Sequence, residues 1–229
     1  MTKVAAAKIF LADERGIHET ERLQIRSTFC FENYVNEHKQ SAGDLYVLND
    51  NILAPGAAAT FIATQNSYMV LLPIAGAITV KETTIAAGQV MIVPMNEKEQ
   101  LTIRNAFSNE TINYLQLCFK TDSVDGKILS NTFDELNKNQ NELKEIAPVK
   151  DQQAQYPFSV SLGLFNGRGE TTCTLKDPTK KIFVFVITGA FEVEGRLLHE
   201  SDGLALWNSS NVEMEALSND ALILVTKFW

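Results

Sequence analysis

The chain has 229 residues, 45% of them hydrophobic and 21% charged, with a formal net charge of −8 and a pI near 5.0. That length and apolar content support one large core or two small ones, and exclude a disordered or fibrous chain. An acidic surface with no Lys/Arg cluster argues against nucleic-acid binding, and no apolar run approaches the ~20 residues a membrane-spanning helix needs.

Taken in order, the chain reads as short strands between turn signals. AKIFLA (7–12) comes first. Lys8 interrupts it and Asp13, Glu14 and Arg15 follow, so it has no secretory apolar region and a cytoplasmic protein is expected. LYVLND (45–50), YMVLLPI (68–74), AITVKE (77–82), VMIVP (90–94), LTIRN (101–105) and INYLQLCF (112–119) continue the series. The second half supplies FSVSLGLF (158–165), TCTLK (172–176), KIFVFVI (181–187), FEVEG (191–195), LALW (204–207), VEMEAL (212–217) and ALILVTKF (221–228). β-branched and aromatic residues dominate these runs, and Gly, Asn, Asp and Pro punctuate them. That is the pattern of an all-β barrel or sandwich.

Residues 121–155 break the pattern. They turn polar and rich in Asn and Gln, and Thr132 and Glu135 have capping-box spacing. Phe133, Leu136, Leu143 and Ile146 form a sparse apolar stripe, so a short amphipathic helix is expected inside a linker. The expected partition is an N-terminal barrel over 1–120, the linker over 121–155 and a C-terminal barrel over 156–229.

A repeat supports two barrels. Ile74–Val80 (IAGAITV) aligns with Ile187–Val193 (ITGAFEV), sharing Ile, Gly, Ala and Val at matching places. Gly88 before VMIV and Gly203 before LALW follow in turn. Glycine at these turns supplies the positive φ that a tight connection needs.

The three cysteines, Cys30, Cys118 and Cys173, form no CxxC and sit among β-prone neighbours, so buried reduced thiols are expected. The three histidines, His18, His38 and His199, are scattered through polar or turn segments and read as surface residues.

The turn and glycine pattern is joined by the segments STFCF (27–31), LYVLND (45–50) with APG (54–56), YPFSV (156–160), GRLL (195–198), DGLALW (202–207) and EALS (215–218). The pattern resembles the cupin barrel, and with these segments the chain resembles the pirin-like bicupins related to quercetin 2,3-dioxygenase. The resemblance implies two cupin (double-stranded β-helix, jelly-roll) barrels in one chain. It also implies, in the N-terminal barrel, iron or another divalent metal held by His-x-His, a Glu four residues later and a further His.

Counted from the glycines, those ligand positions fall on Ile62, Thr64, Tyr68 and Glu99. Only Glu99 would ligate well, because Ile62 has no donor atom and Thr64 and Tyr68 are weak donors at neutral pH. The corresponding positions of the second barrel fall on Leu175, Asp177, Lys181 and Met214, where a lysine would repel a cation. Asp177 and Lys181 are expected to pair at a strand end.

No metal is therefore expected. The N-terminal barrel is either a filled core, with Tyr68 bonded to a partner such as Glu99, or a pocket for a small polar–aromatic molecule; an unconventional metal site is the third alternative. The expected function is a metal-free, non-catalytic pirin-like protein that binds a small organic ligand or a protein partner. The alternatives are a quercetinase-like dioxygenase, or a metal-independent isomerase or lyase with Glu99 and Tyr68 as acid and base.

Overall fold

The computed structural model describes residues 6–133, 136, 140–148, 156–175, 177 and 179–228. The chain divides into two compact units. Arg15–Phe133 belong to one, which we call the N-terminal unit, and the first strand with Tyr156–Trp229 belongs to the C-terminal unit.

The N-terminal unit is built from two sheets. Strands β2 (Gly16–Glu19), β3 (Leu23–Ser27), β4 (Leu45–Leu53), β6 (Ser67–Ala75), β9 (Gln89–Met95), β11 (Ile112–Lys120) and β12 (Leu129–Thr132) form a seven-stranded sheet in the order β12-β9-β6-β11-β4-β3-β2. Strands β5 (Ala58–Ile62), β7 (Ala77–Val80), β8 (Thr83–Ala86) and β10 (Gln100–Asn105) form the second, in the order β5-β10-β7-β8. All the pairings are antiparallel. Side chains alternate across each strand, so one face of each sheet fills the interior. Val47, Leu53, Phe61, Met69, Leu71, Met91, Val93, Leu101, Ile103, Ile112, Tyr114 and Cys118 belong to that core.

The C-terminal unit repeats the plan. Strands β1 (Ala6–Phe10), β13 (Lys144–Ala147), β14 (Phe158–Phe165), β16 (Lys181–Thr188), β19 (Gly203–Trp207) and β21 (Ala221–Phe228) form one sheet, ordered β1-β19-β16-β21-β14-β13. Strands β15 (Glu170–Thr174), β17 (Phe191–Val193), β18 (Arg196–Leu198) and β20 (Asn211–Ala216) form the other, ordered β15-β20-β17-β18. Phe165 and Phe191 meet edge to face at 5.5 Å inside this core.

The repeat is real in three dimensions. Gly76 and Gly189 turn their hairpins at φ values of +80° and +81°. A Cβ on Gly76 would lie 2.4 Å from Ile112 Cγ2, and one on Gly189 would lie 2.4 Å from the Ser218 hydroxyl oxygen. Gly88 also has positive φ, but Gly203 does not; there the positive φ belongs to Ser201. Gly203 is needed for a different reason, because a Cβ would sit 2.5 Å from the Phe183 ring.

Three expectations change. β1 leaves the N-terminal half and pairs with β19, from Ala6↔Trp207 to Phe10↔Gly203, so the division is not the simple 1–120, 121–155, 156–229 series. Residues 121–133 stay with the N-terminal unit, where β12 extends its large sheet beside β9. Of the expected linker helix, Leu136 has 3-10 helical backbone, while Thr132 and Ile146 at its outer ends lie in strands. Asp134, Glu135 and 137–139 lie outside the described residues. Thr132 is in β12, its hydroxyl accepting from Gln89, and Ile146 is buried in β13. Pairing with β14 satisfies that backbone and buries Ile146, which outweighs a weak helical stripe.

Candidate site in the N-terminal barrel

The interior of the N-terminal barrel is not uniformly apolar. On β4 the inward file runs Val47, Asn49, Asn51, Leu53, and on β11 it runs Ile112, Tyr114, Gln116, Cys118. The two strands pair with Gln116 opposite Asn49 and Tyr114 opposite Asn51. Two asparagines, a phenol and a glutamine therefore share one wall. All four are buried.

These groups are only partly satisfied. Asn51 Nδ2 donates to the Asn49 carbonyl at 3.3 Å and the Tyr114 carbonyl at 3.5 Å. Gln116 Nε2 donates to Cys118 Sγ at 3.8 Å. The Tyr114 hydroxyl has no hydrogen-bond partner among the described residues, although Tyr114 is 0% exposed. Neither amide atom of Asn49 has one. A buried polar group left unpaired costs ~1–3 kcal/mol, so such groups call for an explanation.

Tyr114, Asn51 and Gln116 floor a pocket of about 210 Å³. Ile25, Phe61 and Ile103 wall it, and His18, Glu32 and Thr60 lie at its mouth. Phe31 closes one side, its ring stacked on Phe61 at 6.2 Å and 7°. Phe31 comes from the 28–44 loop, which is folded tightly: Cys30 N donates to the Lys39 carbonyl and Phe31 pairs with Tyr34. The Tyr34 ring rests on Gly16, where a Cβ would lie 2.3 Å from it.

Burial sets the electrostatics. It pushes the Tyr114 phenol above the ordinary tyrosine range and the Cys118 thiol up to about 12. Burial, followed by the neighbouring Cys118, also raises Tyr46, whose hydroxyl donates to Ser67. The floor formed by Tyr114, Asn51 and Gln116 is uncharged and offers hydrogen bonds.

The counted ligand positions do not gather here. Ile62 is 57% exposed and Thr64 is exposed, because both point outward from the strand whose inward residues are Phe61 and Ala63. Tyr68 is buried, but its hydroxyl donates to the Asp125 carbonyl and accepts from the Asp125 amide, not from Glu99. Glu99 accepts from the Asn96 amide and side chain, closing a turn. In the C-terminal unit Leu175 and Met214 are core residues, and Lys181 is exposed. Asp177 accepts from the amide and hydroxyl of Thr179 rather than pairing with Lys181. His18, His38 and His199 are all exposed.

The residues that do face inward near the counted positions are Phe61, Ala63, Met69 and Leu101. None carries a nitrogen or oxygen donor. Among the described residues no group of three His, Cys, Asp or Glu comes together. This donor set does not fit the iron-type centre that the family resemblance implies.

Asn49, Asn51, Tyr114 and Gln116 were not singled out from sequence. Their signal is nonetheless present: polar residues at alternate positions in LNDN and NYLQ, two strands otherwise apolar on that face.

Two antiparallel jelly-roll units in one chain define a bicupin. Residues 154–226 match the family described as quercetinase C-terminal cupin domain. No curated protein matches the chain. Among solved structures, the bacterial pirin YhhW from Escherichia coli, determined in complex with nickel(II), is similar with a TM-score of 0.83 at 16% identity, over 97% of this chain and 99% of that one. Quercetin 2,3-dioxygenase from Acinetobacter baumannii is similar with a TM-score of 0.70 at 15% identity, over 96% and 85%. YhaK from Escherichia coli gives 0.68 at 16%, over 86% and 91%. The chain has the fold of the pirin-like bicupins, and its residues 154–226 match the quercetinase C-terminal cupin domain by sequence. Among the described residues, no helix is long and apolar enough to cross a membrane.

Proposed function

We propose that this protein is a metal-free pirin-like bicupin that binds a small polar–aromatic molecule in its N-terminal barrel and acts in the cytoplasm as a non-catalytic, regulatory binding protein. The observation that carries the reading is the Tyr114 hydroxyl, buried and without a hydrogen-bond partner among the described residues, beside Asn51 and Gln116 in a pocket walled by Phe31 and Phe61. A planar ligand with one or two hydroxyl or carbonyl groups would pair the phenol and the amides while its ring meets the aromatic wall.

Size argues for a one-ring ligand. Drug-sized molecules occupy pockets of ~300–1,000 Å³, and this one is about 210 Å³. A three-ring flavonol is too large for it, which weighs against the quercetinase reading. The isomerase or lyase reading needs Glu99 and Tyr68 to act on one substrate, yet each is engaged with a different turn.

The test combines metal content with ligand titration. Elemental mass spectrometry should give well under one metal per chain, before and after incubation with iron or nickel and desalting. Catechol, as a one-ring probe, should bind saturably to the wild type and at least tenfold more weakly to Tyr114→Phe. One mole of retained metal with oxygen uptake on a flavonol would replace this reading with the dioxygenase. Catechol binding that ignores Tyr114→Phe would remove the site.

A further inference from the structure

The C-terminal barrel carries a second polar opening. Its inward file on β21 is Ala221, Ile223 and Val225, all core residues, and the next residue on that face is Lys227. β14 pairs with β21 so that Ser159 stands directly opposite Lys227. Opposed residues of an antiparallel pair share a face, so the hydroxyl and the ammonium stem emerge side by side.

Ser159 is 2% exposed, and its hydroxyl has no hydrogen-bond partner among the described residues. Both residues line a cavity of about 460 Å³, with Leu175 and Thr174 on one side and Asp177, Lys180 and Glu145 around the opening. The carboxylates there do not neutralise Lys227. Asp177 is held by Thr179 through 2.9 Å and 2.7 Å hydrogen bonds, and Lys180 lies near it. Glu145 is exposed on the edge strand β13. Among the described residues no carboxylate pairs with Lys227.

We infer that this opening is a binding site for a small organic carboxylate with an apolar body, its carboxylate held by Lys227 and the Ser159 hydroxyl and its body against Leu175. A hydroxyl donor and an ammonium converging from one face match the two oxygens of a carboxylate, and a charge-assisted bond is the stronger kind. The volume falls in the range of small-molecule pockets, ~300–1,000 Å³, and admits a two-ring body. Among the described residues a dianionic phosphate finds no second free cation here, since Lys180 is beside Asp177. The site is separate from the N-terminal pocket in sequence and in chemistry, a lysine and a hydroxyl at one and a phenol with two amides at the other.

The experiment is calorimetric titration of the full chain with 2-naphthoate, and with inorganic phosphate as the bare anion. Wild-type protein should bind one equivalent of 2-naphthoate per chain, more weakly as salt rises from low concentration to 0.5 M, and should not bind phosphate. Lys227→Met should weaken naphthoate at least tenfold and Ser159→Ala about fivefold. Lys227→Arg should keep most of the affinity, which separates loss of charge from loss of fold. Tyr114→Phe should leave the affinity unchanged. Absence of saturable binding, insensitivity to both Lys227→Met and Ser159→Ala, or phosphate binding as tight as naphthoate would each overturn the assignment. So would loss of naphthoate binding in Tyr114→Phe, which would place the ligand in the other barrel.

Discussion

Phe31 and Phe61 lie nearly parallel, their ring centroids 6.2 Å apart, and the first comes from a loop while the second belongs to β5. The contact therefore couples the 28–44 loop to the barrel wall. Phe31→Ala should remove one side of the pocket, weaken catechol binding about tenfold, and lower the melting temperature only slightly because Phe31 is half-buried. Titration and thermal denaturation of the same variant check both halves. A large loss of stability would mean that Phe31 is a core residue first.

Tyr114→Phe should change stability and binding in opposite directions. Removing a buried, unpaired hydroxyl relieves a desolvation cost of ~1–3 kcal/mol, so the free protein should become more stable by about 1 kcal/mol, read by urea denaturation. Destabilisation by this change would show that the hydroxyl has a native partner.

Alkaline pH should unfold the protein early. Cys118 has its folded pKa raised by burial to about 12 from 9.0, and Tyr114 and Tyr46 are raised from 10.0. Above those ordinary values the unfolded chain loses protons that the folded chain keeps. Fewer protons bound in the unfolded state make stability fall as pH rises. The loss should begin near pH 9 and steepen above 10. Cys118→Ser should flatten the early part of the curve of unfolding free energy against pH, and Tyr114→Phe the later part.

Gly16→Ala should act through the loop. Its Cβ would meet the Tyr34 ring at 2.3 Å, so the ring must move. Expected results are faster amide exchange across residues 28–44 and weaker catechol binding, with the C-terminal unit unaffected. Unchanged exchange in the loop would show that Tyr34 is not what holds it.

Asp202→Asn should loosen β1. The buried carboxylate accepts from the Ala12 amide and the His199 amide, both at 2.8 Å, with different oxygens. An amide side chain keeps only one of those acceptors. A loss of about 1–3 kcal/mol is expected, with exchange rising first in residues 6–12. Even protection across β1 and β19 in the variant would argue against this anchor.

The architecture was legible because its strands follow simple chemistry. Runs such as YMVLLPI and KIFVFVI carry β-branched and aromatic residues between turn glycines, and the IAGAITV and ITGAFEV copies mark the same hairpin twice. Strands β2, β3, β5 and β8 were harder to see. They are short; β2 is largely exposed, β3 has Ile25 as its single buried apolar residue, and β5 and β8 carry Ala or Thr on both faces, so they lack contrast. The site was less legible for a geometric reason. The count from Gly56 fixes a distance along the chain but not which face of the sheet a residue takes. A count one residue out exchanges the two faces, and here Ile62, Thr64 and Tyr68 point away from the interior while Phe61, Ala63 and Met69 point into it. The polar wall could have been found from alternation within NYLQ alone. Its empty hydrogen-bonding capacity could not, since that depends on what the other sheet brings opposite.

The crossing of β1 has a consequence for the order of events during synthesis. Ala12 precedes Asp202, its partner, by 190 residues. At roughly 5–20 residues per second, that interval lasts about 10–40 s. Throughout it the AAKIF segment must wait with its backbone unpaired while the strands of the N-terminal unit emerge and close without it. The polypeptide thus holds back an early segment as the last edge of its late-made half, and interruption of translation before residue 203 leaves that segment sticky and without its mate.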